Sequence, residues 1–286
     1  MSDRPLARST GSRYIGLMGE FLLQNEAAVR MTVFGGMLAI MGGLELLSPK
    51  RRLSIGRLRR WVQNLGVVVV NTAALRLVFF FLPALAVGFA HLMADDGFGL
   101  LNLIDLPFWA KVVIGVVVLD GIIWAQHLAM HNVPVLWRLH RVHHADLDID
   151  VTTGLRFHPV EIILSMALKL GAIALLGPPA LAVLIFEILL NGGAMFNHAN
   201  VALPRWLDRV LRTVIVTPDF HRVHHSVIVS ETNSNFGFSL SVWDRLFGTY
   251  TAQPAEGHLG MDIGLAEYRD GDRQGFGWML ALPFRR

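Results

Sequence analysis

The sequence has no cysteine and few charged residues. Without cysteine the chain can form neither a disulfide nor a thiolate metal site. Only 16% of its 286 residues are Asp, Glu, Lys or Arg, and 53% are hydrophobic, whereas a soluble domain carries about 25% charged residues. Long apolar runs also exclude a disordered or a collagen-like chain. The composition therefore predicts an integral membrane protein with several spans and a polar lobe.

Five apolar stretches are long enough to be considered as membrane spans. They lie at 31–48, 65–90, 107–131, 160–176 and 179–197. The last two are separated by the turn Gly177-Pro178-Pro179 and are short, so a shallow hairpin and two full spans are equally acceptable. We predict an all-α integral membrane protein with about four to five hydrophobic helices. Residues 1–30 form an N-terminal segment, 31–64 the first span and a basic loop, and 256–286 a C-terminal tail.

Charged residues predict the orientation of these spans. The 91–106 loop carries three aspartates and neither Lys nor Arg, whereas the 50–60 loop is strongly basic and is interpreted as a membrane-edge anchor. We expect the basic loop, and with it every candidate functional residue, on the cytoplasmic side of what is most simply a bacterial inner membrane. The net charge of +3 forms no stripe typical of nucleic-acid binding, so no nucleic-acid partner is expected. The basic residues are Lys50, Arg51, Arg52, Arg57, Arg59 and Arg60.

Ten of the twelve histidines form a pattern. One pair has the i, i+4 spacing of a helix face, and two triplets have the spacing i, i+3, i+4, so their imidazoles converge from one side of a helix. One metal ion cannot use eight nitrogens, but two ions can, and imidazole suits zinc, copper, iron and nickel. We therefore predict a two-metal site and treat His91 and His258 as ordinary histidines. The predicted ligands are His127, His131, His140, His143, His144, His158, His198, His221, His224 and His225.

These histidine motifs occur with two further motifs. Residues Asn233–Gly237 read NSNFG, and Trp243–Tyr250 read WDRLFGTY. Together with HLAMH, the two HRVHH triplets and Asn197-His198, they resemble the fatty acid hydroxylase/sterol desaturase superfamily over about residues 65–255. Ile123 and Leu128 stand where the superfamily often has tyrosine and arginine, which leaves the lipid subclass open.

The resemblance implies a membrane-bound non-haem di-iron oxygenase. Histidines would hold two iron ions at the cytosolic edge of a helical bundle, with zinc as a substitute in recombinant protein. O2 and two electrons would hydroxylate or desaturate a lipid, of the fatty acyl, sterol-like, ether or amino lipid type. Because no haem, flavin or NAD segment is present, a separate reductase, ferredoxin or cytochrome must supply the electrons.

Two alternatives come from other classes of protein. A zinc-dependent membrane hydrolase would act through metal-bound hydroxide, but ten histidines would leave two zinc ions few open positions. A non-enzymatic metal-binding membrane protein is the other alternative, although a transporter places its ligands nearer the bilayer midplane. The absence of the motifs H-E-x-x-H and E-x-x-H argues against a zincin and a ferritin-like carboxylate site.

Other polar residues are candidates for supporting roles. Asp120 lies seven residues before His127, on the same helix face, and Arg76 lies at a matching depth, so we predict an ion pair between them. Asn197 is a candidate for contacting the metal site or for a structural hydrogen bond. The aspartates that follow the first triplet are interpreted as a solvated acidic loop rather than as histidine partners; they are Asp146, Asp148 and Asp150.

Overall fold

The structure is a computed structural model that describes residues 10–80, 85–270 and 275–285. Within these ranges the chain is helical, with short 3-10 turns and isolated β-bridges such as Ser226–Ile263. The helices are α1 (Thr10–Gln24), α2 (Glu26–Leu47), α3 (Arg57–Val78), α4 (Leu85–Asp95), α5 (Leu100–Leu103), α6 (Phe108–Asn132), α7 (Pro134–His144), α8 (Pro159–Leu176), α9 (Ala180–Asn197), α10 (Arg205–Leu211), α11 (Pro218–His224), α12 (Val229–Thr232), α13 (Val242–Leu246), α14 (Gly257–Gly260) and α15 (Phe276–Ala281).

Five of the described helices are long and apolar enough to cross a membrane. They are α2, α3, α6, α8 and α9, which confirms the prediction of an all-α integral membrane protein. The bounds predicted for the second span were wrong, because α3 ends at Val78 and α4 begins at Leu85. Helix α3 also begins at Arg57, inside the predicted basic loop. Arg57 can begin this helix because carboxylates near the start of α3 neutralise the charge of its arginines, as described below.

Helices α8 and α9 form the predicted hairpin, with 18 residues in each arm. At 1.5 Å per residue each arm is about 27 Å long, so both reach the length of a span. Gly177 ends α8 with a φ of 62°, in the left-handed region that favours glycine, and a Cβ there would lie 2.9 Å from Gly99. Because this turn is tightly packed, α8 and α9 are held antiparallel.

Helix α9 is the central element of the bundle. It packs against α2, α4 and α6, and most of its inner residues are buried. Small residues allow close approach, since Gly115 of α6 lies against Ala182 of α9 and the Pro178 ring. The C-terminal ends of α6 and α9 and the start of α8 consequently lie at one end of the bundle, together with α7 and α11. This end is the polar lobe.

The acidic residues after α7 are buried ion-pair partners, and the interpretation as a solvated loop was wrong. Asp146 and Asp150 have no exposed surface. Arg60, itself 3% exposed, pairs with both, and its Nε lies 2.9 Å from Oδ2 of Asp150. Asp148 lies 3.8 Å from Arg60 and also accepts hydrogen bonds from the backbone of Ser54. These pairs fasten the start of α3 to the polar lobe.

The basic residues around the start of α3 are therefore not simply a membrane anchor. Besides Arg60, Lys50 pairs with Asp219 at 2.7 Å, and Arg57 lies 3.8 Å from Glu45. Lys50, Arg57 and Arg60 thus have carboxylate partners within the fold. Their side chains neutralise buried carboxylates, which a linear charge count does not show.

The C-terminal segment packs back onto the lobe. Met279 and Leu282 are buried against Val142 of α7 and Val67 of α3. Backbone oxygens of this segment also accept hydrogen bonds from α7, as when Arg141 donates to the carbonyl of Leu282 at 2.7 Å. This segment covers the outer side of α7.

Candidate metal centre

Nine of the ten predicted ligand histidines lie in two groups. In each group the nitrogen atoms available as ligands lie within 4.8 Å of one another. The first histidine group draws on α6, α7 and α11, and the second draws on α7, the end of α9 and α11. The first group contains His127, His131, His140, His144 and His224, and the second contains His143, His198, His221 and His225.

Each histidine triplet is divided between the two groups. In α7, His140 and His144 belong to the first group, and His143 belongs to the second. The second triplet is divided in the opposite way, because His224 joins the first group while the flanking pair, four residues apart, joins the second. The spacing of the histidines predicted that their imidazoles converge on one region. It did not predict that each triplet contributes to both groups.

The distances between imidazole nitrogens fit metal binding. Nε2 of His127 lies 3.1 Å from Nε2 of His140 and 3.0 Å from that of His224. In the second group, Nε2 of His198 lies 3.1 Å from Nε2 of His143 and equally far from that of His221. Neighbouring ligands of an octahedral ion with bonds of about 2.1 Å are about 3.0 Å apart. The residues present therefore fit two metal ions.

Several histidines are oriented by carbonyl oxygens. Nδ1 of His127 donates to the carbonyl of Phe236, and Nδ1 of His224 to that of Ser234, both at 2.7 Å. Nδ1 of His198 donates to Ala194 at the same distance. A proton held on Nδ1 leaves the lone pair of Nε2 free for a metal. The NSNFG motif thus positions two candidate ligands through its backbone.

Two side chains play the same part, and neither was predicted to do so. Oε1 of Glu161 accepts from Nδ1 of His140 at 2.7 Å, and Oδ1 of Asn233 lies 3.3 Å from Nδ1 of His131. Glu161 is 4% exposed near the start of a largely apolar helix, in which Lys169 is the other charged residue. A carboxylate in such a position was the signal that could have indicated its role.

Burial keeps the lobe histidines neutral. It lowers the pKa of His198 to about 4, and burial together with neighbouring imidazoles holds the pKa of His143, His144 and His225 well below the usual value. Both ring nitrogens of His144 and of His225 are buried without a hydrogen-bond partner among the described residues. A neutral imidazole has one unprotonated ring nitrogen, and in these two residues no protein group occupies it, as a metal ligand requires.

His158 lies outside both groups, contrary to the prediction that it is a ligand. It caps the start of α8, where Nδ1 accepts from the backbone N–H of Val160 at 3.2 Å. Its Nε2 lies 3.2 Å from the carbonyl of Leu280. Because backbone groups occupy both ring nitrogens, His158 has the structural role of a helix cap before a proline.

The predicted ion pair between Asp120 and Arg76 is not formed, because the Arg76 side chain is exposed. Asp120 instead accepts from Nε1 of Trp243 at 2.8 Å and from the backbone of Leu240. The sequence predicted equal depths for Asp120 and Arg76 in their spans, but equal depth does not make two side chains neighbours. Asn197 donates to the carbonyl of Phe238 at 2.9 Å, a structural contact.

Asp244, in the WDRLFGTY motif, connects α6 to the NSNFG motif. One carboxylate oxygen accepts from Nε1 of Trp124 at 3.1 Å and from the backbone of Phe236 at 2.8 Å, and the other accepts from Gly237. Burial raises the pKa of Asp244, and these hydrogen bonds oppose that rise. This carboxylate thereby holds the backbone that orients His127.

A cavity of about 220 Å³ lies between α3, α6, α8 and α9. His127 and His140 of the first group border it, and most of the remaining lining is apolar, including Leu75, Ile123 and Leu190. The described structure therefore places an apolar chamber between membrane helices directly beside the first histidine group.

Known proteins similar to this chain agree with the class of protein that its fold and site define. The fold and the site define an integral membrane protein with a histidine-rich candidate metal centre. Residues 112–249, which contain all ten predicted ligands, match the family model described as fatty acid hydroxylase. This match confirms the resemblance of this part of the chain to the fatty acid hydroxylase/sterol desaturase superfamily.

Curated relatives cover different shares of the chain. An ornithine lipid hydroxylase from Rhizobium tropici is 31% identical over 180 residues, 63% of this chain and 52% of the relative. The alkylglycerol monooxygenase of Homo sapiens is 30% identical over 152 residues, 52% of this chain and 32% of the relative. A very-long-chain aldehyde decarbonylase from Oryza sativa subsp. indica is 25% identical over 252 residues, 85% of this chain and 92% of the relative. The chain thus spans about half or less of the length of the first two relatives. No solved structure matches the chain.

Proposed function

We propose that the protein is a membrane-bound non-haem di-iron oxygenase that hydroxylates or desaturates a lipid with O2 and two electrons. The observation that carries this proposal is the position of the first histidine group, which borders an apolar cavity between membrane helices. Lipid hydrocarbon and metal-binding imidazoles would meet there. The names of the hydroxylase and monooxygenase relatives support the same reaction class.

Nine histidines would hold the two ions, five in the first group and four in the second. Five imidazoles exceed the four ligands of a structural zinc site, which favours iron over zinc in the first group. When bound, the iron pair would supply the activation of O2 that oxidation of an unactivated C–H bond requires. Glu161 and the carbonyls of Phe236 and Ser234 accept hydrogen bonds from Nδ1 of three of these imidazoles, which leaves Nε2 of each to face the metal.

Apolar side chains would hold the lipid and exclude water. Leu75, Ile123 and Leu190 line the cavity and provide the surface along which a hydrocarbon chain packs. Exclusion of water from this chamber protects a strongly oxidising site from side reactions. A lipid that enters from the bilayer therefore reaches His127 and His140 without crossing the aqueous phase.

The site would lie on the cytoplasmic side, where reducing partners are available. The basic residues between α2 and α3 support this orientation, since Lys and Arg count toward topology even when carboxylates are nearby. A separate reductase, ferredoxin or cytochrome would deliver the electrons to this face.

Iron content and O2 uptake test the proposal together. Protein purified from iron-supplemented cells should contain about two iron ions per chain, the number its two histidine groups can hold. It should consume O2 when reductant and membrane lipid are both present. Whole-cell lipids should then include a species with one added oxygen atom or two fewer hydrogen atoms, which is absent from a deletion strain.

A matched variant controls for adventitious metal. His224→Ala should lose O2 uptake and part of its bound metal. His91→Ala, at an exposed position on α4, should retain both. Zinc-loaded protein that hydrolyses a lipid without consuming O2 would instead support the hydrolase alternative.

A further inference from the structure

Two buried oxygen atoms belong to residues that line the cavity and have no hydrogen-bond partner among the described residues. They are Oε2 of Glu161 and Oδ1 of Asn71. Glu161 is 4% exposed and Asn71 is 8% exposed, so bulk water does not satisfy them. A buried acceptor without a partner is unfavourable, and each such atom in a folded protein calls for an explanation.

The other polar atom of each side chain already has a partner. Oε1 of Glu161 accepts from Nδ1 of His140 at 2.7 Å, and Nδ2 of Asn71 donates to the carbonyl of Phe157 at 3.0 Å. Because the carbonyl of Phe157 can only accept, the bonded atom of Asn71 must be its nitrogen, and the free atom must be its oxygen. Both unpaired atoms are therefore hydrogen-bond acceptors.

Contacts within the structure connect both residues to the histidine groups, Glu161 directly and Asn71 through Phe157. Glu161 contacts His140 of the first group directly. The ring of Phe157, whose carbonyl holds Asn71, stacks on His143 with a centroid distance of 4.5 Å. A group bound between Glu161 and Asn71 would consequently lie close to both groups, while the rest of its molecule extends along the apolar lining.

We propose that Glu161 and Asn71 recognise a hydrogen-bond-donating group, an ammonium or a hydroxyl, on the lipid that the cavity binds. This inference rests on the proposed function and specifies its substrate class. The oxidised carbon lies within a few bonds of the donor group, because the acceptors and the imidazoles are adjacent. An ether, an ester or a quaternary ammonium cannot satisfy the two oxygens, since none of them donates a conventional hydrogen bond.

Two matched pairs of lipids test this recognition with the unaltered protein. The first pair is 1-O-hexadecylglycerol and its dimethyl ether, and the second is phosphatidylethanolamine and phosphatidylcholine with identical acyl chains. Equilibrium binding of each radiolabelled lipid is measured with metal-loaded protein in detergent. We expect the donor-bearing member of one pair to bind about tenfold or more tightly, and the pair that discriminates identifies hydroxyl or ammonium. Equal affinities within both pairs would overturn the proposal.

Variants locate the recognition at these two residues. Glu161→Gln keeps an oxygen for His140 but replaces the free acceptor with an N–H2 donor, so metal content should persist while the preference for the donor-bearing lipid disappears. Asn71→Ala should weaken binding of the same lipid about tenfold. A preference that survives in both variants would also overturn the proposal.

Asn64→Ala is the matched control for Asn71→Ala. Asn64 lies seven residues earlier on α3 and is also buried. It donates through Nδ2 to Thr152 at 2.9 Å, and its oxygen is unpaired among the described residues. It is not among the residues that line the cavity. Its replacement should leave lipid affinity unchanged. If Glu161→Gln loses metal, this asparagine pair still decides the question, because neither asparagine contacts a histidine group.

The binding measurements also separate this inference from the proposed function. Lipid oxidation without any preference for the donor-bearing member would refute the inference and leave the oxygenase proposal intact. Selective binding without O2 uptake in the iron-loaded protein would support the recognition and refute the oxygenase.

Discussion

The two histidine groups differ in what surrounds them. The first group takes two of its five members from the membrane helix α6, borders the apolar cavity and includes the partly exposed His131. The second has four members, each at most 1% exposed, and lies deeper in the polar lobe. The first group is therefore placed to face a substrate, whereas the second is enclosed by protein.

Their supporting contacts differ in the same way. In the first group the Nδ1 atoms of four members contact an oxygen, supplied by Phe236, Asn233, Glu161 or Ser234. In the second group, Nδ1 of His143, of His221 and of His225 has no such partner within the described residues. The group that borders the cavity is thus also the group in which more imidazoles are oriented by hydrogen bonds. An open catalytic position needs such control of its ligands.

Loss of one ligand from either group should have the largest effect. His140→Ala and His198→Ala should each abolish turnover, and each should lower bound metal by about one ion per chain, since removal of a ligand exceeds the about 10- to 100-fold loss of metal affinity expected for a supporting residue. Elemental analysis and O2 uptake of the purified variants provide the measurement. Full turnover in either variant would mean that its histidine is not a ligand.

Arg60→Leu should cause the next largest effect, and it should act mainly through the lobe. It leaves Asp146 and Asp150 buried without their cation, and breaking a buried pair in this way costs about 3–5 kcal/mol. Thermal unfolding in detergent should show a clearly lower midpoint. Arg52→Leu, at an exposed position in the same basic stretch, should leave the midpoint almost unchanged, and a similar drop in both would contradict the explanation.

Asp244→Ala should affect the first group more than the second. It removes the acceptor of Trp124 and of the backbone N–H groups of Phe236 and Gly237, at a cost of about 1–3 kcal/mol for each buried donor left unpaired. The carbonyls that orient His127 and His224 should then loosen. We expect the metal content to fall by up to one ion at limiting iron, and loss of both ions in equal measure would remove the distinction between the groups.

His158→Ala should have the smallest effect. Loss of a helix cap costs about 1 kcal/mol, and because His158 lies outside both groups the metal content should not change. Comparison of iron content and melting temperature with those of His91→Ala checks this. A loss of one iron ion in His158→Ala would restore His158 to the set of ligands.

Local patterns predicted much of this molecule from the sequence. Helical spacing was sufficient to bring the imidazoles of each triplet to one region, and Gly177-Pro178-Pro179 was sufficient to predict the turn between α8 and α9. Contacts between distant residues were not predictable in this way. Arg60 meets Asp146 across 86 positions, and Asp120 meets Trp243 across 123, because packing of whole helices, rather than any local signal, sets these partners.

His158 and Glu161 show the same limit at short range. They lie three residues apart at the start of α8, yet the histidine caps the helix and the glutamate holds a candidate ligand. Residue type favoured the histidine as the functional member of this pair. The structure reverses that assignment, because the Glu161 side chain contacts His140 of α7 whereas the His158 ring contacts backbone groups.

The division of each triplet between the two groups links the groups mechanically. Helix α7 carries His140 and His144 on one side of the boundary and His143 on the other, and the α11 segment carries the opposite distribution. A small roll of either helix about its axis therefore changes the nitrogen positions in both groups at once. The two groups consequently share their mechanical support, since a displacement of α7 or α11 as a rigid body moves candidate ligands of both groups together.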